Sequence, residues 1–142
     1  MQPSHTLTRF LTAQQPIYAQ VLKELQNGKK TTHWMWFIFP QIEGLGHSPT
    51  AKYYSIKNSA EAKEYLAHPV LGKRLLKCSN IILKSKDKSA DEIFGYPDNM
   101  KLQSCMTLFN FIAPEQKIFD DVLQKYFAAE KDKKTLDILK EL

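Results

Sequence analysis

Arginine is scarce. Of the 20 basic residues only Arg9 and Arg74 are arginines. Bidentate guanidinium contacts to phosphates and guanine edges are therefore not a main device of this chain. Cysteine is scarce too. Cys78 and Cys105 are the only two, with no C-x-x-C pair and no Cys/His cluster, so neither zinc nor any other metal site is expected. Each lies in an apolar helical pattern and reads as a buried, reduced thiol. The longest hydrophobic run is Trp34 to Phe39, far too short to cross a bilayer. The opening MQPSHTLTRFLTAQQ lacks a charged segment followed by an apolar one, so no secretory signal is expected and the cytoplasm is the expected compartment. Also missing are a phosphate-binding P-loop, a G-x-G-x-x-G turn and a G-x-S-x-G nucleophile elbow. No internal repeat or low-complexity linker appears.

What is present suits a globular protein. The 142 residues, 16.4 kDa, are 43% hydrophobic and 25% charged. One domain over residues 1–142 is expected, large enough to bury about two-thirds of the surface its unfolded chain exposes. The net charge of +5 is unevenly spread: residues 1–90 carry a surplus of eight positive charges, and residues 91–142 a deficit of three. Such a lysine-rich surface reads first as a solubility device, with nucleic acid as the weaker alternative.

Helical periodicity dominates. Ile17, Val21, Leu22 and Leu25 share a face, and Gly28 is placed to end that helix. Asn58 and Glu61 predict a cap over the helix of Ala62, Tyr65 and Leu66. Pro69, with His68 as its cap, predicts the start of a helix running through Leu71, Leu75, Cys78 and Ile82 to about Lys84. Ser89 and Glu92 form a capping-box pair, stopped by Gly95. Asp98 is the expected cap of a helix whose stripe is Leu102, Cys105, Met106, Phe109 and Ile112. Ile118, Val122, Leu123, Tyr126 and Phe127 line another, and Leu136, Ile138 and Leu139 a last short one. The expected fold is all-α or mainly α, with six or more helices. Thr32 to Phe39 reads equally as a buried strand or a buried helix.

That segment is the unusual one. His33-Trp34-Met35-Trp36-Phe37-Ile38-Phe39-Pro40-Gln41 holds both tryptophans between two hydrogen-bonding side chains. A buried indole N–H needs a partner, and aromatic walls with a few polar groups at the edge suit a nucleobase or ribosyl pocket. The following Gly44, Gly46 and Ser48 offer backbone and hydroxyl donors to a ligand. Asp98, Lys101 and Ser104 are spaced by three on a predicted helix, a polar strip in which Asp98 is a candidate acid/base and Lys101 a candidate anion holder. The plain alternative is a core segment, a turn and a capped helix.

HWMWFIFPQ, GLGHS, AKYYSI, EAKEYLAHPVLGKRLLKC, IFGYPD and KLQSCMTLF, in this order, resemble a family of small, mostly bacterial proteins of unknown function, DUF1810, at times labelled calpastatin. The resemblance spans roughly residues 6–128 and implies a compact, mainly helical domain. His33, Trp34, Trp36, Phe39, Pro40 and Gln41 match its aromatic motif, Gly44, Gly46 and Ser48 its glycine loop, Tyr54 the tyrosine that follows, and Asp98, Lys101, Leu102 and Ser104 its later helix start. At fold level the family is distantly similar to the NADAR group, associated with hydrolysis of N-glycosidic bonds to ribose. No residue here matches a NADAR catalytic glutamate.

Three functions follow as expectations. The first is an N-glycosidase-type enzyme on an N-riboside or nucleotide-like ligand. In it Asp98 and His33 are catalytic, Trp34, Trp36, Gln41, Gly44, Gly46, Ser48, Tyr54, Lys101 and Ser104 bind, and no cofactor is needed. The second is a non-catalytic module for a nucleotide or modified nucleic acid. The third is a protein-interaction domain in which the aromatic run is core. No membrane partner is expected.

Overall fold

The computed structural model describes residues 3–141, with side chains from Leu7 onward. Among these residues there are ten helices and no strand: α1 Pro3–Gln14, α2 Tyr18–Gln26, α3 Met35–Ile38, α4 Pro49–Tyr53, α5 Ser59–Ala67, α6 Leu71–Lys84, α7 Ala90–Phe94, α8 Asp98–Ile112, α9 Lys117–Phe127 and α10 Lys133–Glu141. The mainly helical expectation holds. The ambiguous aromatic segment is neither a strand nor a full helix but the single turn α3.

α8 is the centre. Eight consecutive residues, Leu102 to Thr107, Leu108 and Phe109, are buried. A helix buried on all sides must be enclosed by others, and α5, α7, α9 and α10 pack around it. Phe109 joins the ring cluster of Tyr65 and Phe119. Both cysteines are free and buried as expected; burial pushes the Cys78 thiol up to about 12 and holds that of Cys105 well above its usual value.

The local signals largely do what their chemistry predicts. Asn58 accepts from the Glu61 amide at 2.9 Å. Ser89 and Glu92 complete their reciprocal capping box, and Gly95 follows at φ +74°. His68 Nδ1 accepts from the amides of Val70 and Leu71. The helix it caps begins at Leu71, so Pro69 lies in the preceding turn and not in the first helical position. Asp98 departs further from expectation: it is the first residue of α8, it caps nothing, and its carboxylate turns to two lysines.

α1 had no sequence stripe assigned to it, yet Leu7 and Phe10 are core. Its Arg9 explains its place. The guanidinium donates to the carbonyls of Tyr53 and Ser55, both at 2.7 Å, and to Glu61 at 2.9 Å. This ties α1 to the loop before α5. The same loop is held to residues 41–43 by a parallel bridge between Ile42 and Ile56.

Candidate functional site

The site begins at a buried carboxylate. Glu24, 3% exposed on α2, accepts from the amides of Thr31 and Thr32, the Thr32 hydroxyl, the Gln20 amide and the indole N–H of Trp34 at 2.9 Å. Burial alone would raise its pKa; the donors outweigh burial and lower it to about 2. The effect is to pin residues 31–34 against α2. Trp34 is thereby fully buried, with Phe39 and Phe94 against its ring. This satisfies the buried indole demand anticipated from sequence, through a partner the sequence did not suggest.

Pinning this segment brings Lys30 to the start of α8. Its ammonium lies 2.7 Å from Asp98 Oδ2, and Lys101 reaches Oδ1 at 3.2 Å. One carboxylate thus serves two cations. Lys101 also stands 4.3 Å above the Trp36 ring, and Lys30 5.2 Å from that of Trp34, distances at which the ring face attracts a cation.

Two clefts meet here. The first, about 380 Å³, runs between α8 and the 41–51 segment. Trp36, Gln41, Gly46, Ser48, Lys101 and Ser104 line it together with Leu45, His47, Ala51, Pro97 and Met100. The second, about 310 Å³, is lined by Lys30, His33, Trp34, Met35, Trp36, Tyr96, Pro97, Asp98 and Lys101. Trp36, Pro97 and Lys101 are common to both. His33 and Asp98 therefore share one cleft and Gln41 and Ser104 the other, with Lys101 between them.

Two predicted residues lie elsewhere. Tyr54 packs its ring among Phe10, Phe37 and Tyr53, so it is an aromatic packing residue. Gly44, at φ +111°, turns the chain beside Ile138 of α10, where a Cβ would sit 3.1 Å from that side chain. Gly46 does line the first cleft, but for a packing reason: a Cβ there would meet Ala51 at 2.6 Å. Ser48 spends its hydroxyl oxygen as the cap of α4, accepting from Ala51, and Ser104 donates to the Met100 carbonyl.

Lys30, Tyr96 and Met100 were not singled out by sequence. Tyr96 is 79% exposed and Met100 45%, a rim of apolar surface beside the lysines. The signal for Tyr96 was an aromatic before Pro97 in a turn. Lys30 had none, because its partner is remote in sequence. Glu24 was legible as a charge inside the apolar stripe of Val21 and Leu25.

The crystal structure of the conserved hypothetical protein Rv1873 from Mycobacterium tuberculosis is similar to this chain, with 44% identity, a TM-score of 0.93, and coverage of 94% of this chain and 96% of that one. No curated protein matches. Neither the calpastatin label nor the NADAR likeness finds support in these comparisons. Among the described residues no helix is long and apolar enough to cross a membrane, and no group of metal-ligating side chains gathers. The model of the family described as protein of unknown function (DUF1810) matches residues 4–139, and the chain belongs to that family.

Proposed function

We propose that the paired clefts bind one small nucleotide-like molecule, a flat ring against Trp36 and Met100 and an anionic group at Lys101 and Lys30. The observation that carries this reading is the position of Lys101: over the Trp36 ring, on the wall both clefts share, and only half neutralised because Asp98 also serves Lys30. The volume of the larger cleft is within the range of small-ligand sites.

Binding is better supported than turnover. Both oxygens of Asp98 are engaged by ammonium groups, so acid/base work requires it to release one. A phosphate that takes Lys101 would free Oδ1, and hydrolysis of an N-glycosidic bond would depend on that exchange.

Calorimetric titration with AMP and adenosine tests the reading. Lys101→Met is expected to weaken AMP roughly tenfold or more, about 1.4 kcal/mol, and to leave adenosine nearly unchanged. Equal binding of both ligands by both proteins, or no binding by the unmodified protein, removes the proposal. Product analysis with Asp98→Asn then separates binding from catalysis: a catalytic Asp98 predicts a loss of roughly a hundredfold or more in turnover.

A further inference from the structure

α2 and α6 lie side by side and run the same way. At one end the Arg74 guanidinium stacks 4.4 Å from the Tyr18 ring. At the other, Leu25 and Gln26 face Ile81 and Lys84 across a groove of about 260 Å³. The loops that follow are tied by Lys88, which donates to the Gly28 carbonyl at 3.1 Å.

The outer surface of this pair carries charge of one sign. The exposed edge of α6 is Lys73, Lys77, Asn80 and Lys84, one helical turn or two apart, and α6 contains no acidic residue. α2 adds Lys23 between the exposed amides of Gln20 and Gln26; its one acid, Glu24, is buried and bonded inward. The adjoining loops contribute Lys29, Lys86 and Lys88, with Asp87 exposed among them and the exposed Glu92 of α7 near Lys88. Seven lysines against two acids gather a surplus of five positive charges on this one face, as large as the net charge of the whole chain, +5. None of the seven forms an ion pair within the described residues.

Unneutralised like charge in one place repels itself and attracts a polyanion. Lipid is the poorer match, because a surface-bound helix needs an apolar anchor, and among the described residues Val70 is the one exposed large hydrophobic side chain that adjoins this face. Both arginines turn inward, Arg9 to Glu61 and Arg74 to Tyr18 and Gln14, so the fork that reads base edges is not on offer. Lysines and amides remain, the groups that hold phosphates. We infer that the α2–α6 face binds the phosphate backbone of nucleic acid without reading its sequence.

Fluorescence anisotropy with a labelled mixed-sequence duplex of about 20 base pairs tests this. Affinity is expected to fall roughly a hundredfold between about 50 and 200 mM salt, as for neutralisation of about four phosphates. Replacing Lys73, Lys77 and Lys84 together by Gln should reduce the salt slope by about two to three, while circular dichroism stays unchanged because all three are exposed. Lys131→Gln, Lys134→Gln and Lys140→Gln together remove the same charge around α10 and should leave the slope as it was. Equal losses in the two triple variants would mean net charge alone and overturn the inference. So would no duplex binding at the lower salt, a strong preference between two unrelated duplexes, or binding to phosphatidylserine vesicles in place of DNA.

Discussion

Glu24 stays ionised in a nearly dry place because five hydrogen bonds converge on its two oxygens. Its folded pKa, about 2, lies below the ordinary 4.5. The linked stability, about 3 kcal/mol, is therefore fully present above pH 4.5 and is lost as pH falls towards 2. Glu24→Gln should lower stability by roughly 1–3 kcal/mol or more, since an amide cannot accept from all five donors. Urea denaturation at a series of pH values checks both points: the variant is expected to show less loss between pH 4.5 and 2 than the unmodified protein. The same substitution loosens the segment bearing Lys30 and Trp36, so nucleotide affinity should fall with it, although Glu24 touches neither cleft.

Between elements, α5 and α6 come close together at Gly72. A Cβ on Gly72 would lie 1.9 Å from the Leu66 carbonyl oxygen. Gly72→Ala must therefore push α6 away from α5, with an expected cost of about 1–3 kcal/mol or more, measured as a lower urea midpoint at unchanged slope. Nothing in the sequence around Gly72 marks it as a packing residue; it reads as one more position in the first turn of a helix. Seven of the described helices, α2 and α5 to α10, were legible, since spacing and capping are decided within three or four residues. The Ser89–Glu92 box and the Asn58 cap formed where their spacing placed them. Asp98 did not, because a carboxylate near a helix start has a choice between local amides and any cation that packing brings up, and packing brought Lys30.

For the molecule as a whole, a single cooperative unfolding transition is the expected behaviour, because α8 joins α5, α7, α9 and α10 in one core. Tryptophan fluorescence reports the Glu24–Trp34 region and far-ultraviolet circular dichroism reports all helices; their thermal midpoints should coincide. A fluorescence transition that clearly precedes the other would divide the chain into two units. Tertiary structure also settled how the polar residues are shared out. Sequence reasoning expected one pocket with His33, Gln41, Asp98 and Lys101 together, plus Gly44 and Tyr54. Packing distributes the first four over two clefts joined at Lys101 and sends Gly44 and Tyr54 to other contacts.

The sequence by itself determined seven of the ten described helices, α2 and α5 to α10, where most of them start and stop, and that both thiols are buried; α1, α3 and α4 were not legible in it. Each feature it determined rests on interactions a few residues long or on hydrophobic period. Only the tertiary structure decided that Glu24 holds Trp34, that Lys30 meets Asp98, and that two clefts share one lysine. Those pairings join residues far apart in the chain, and they depend on the directions in which helices pack, which no local spacing encodes.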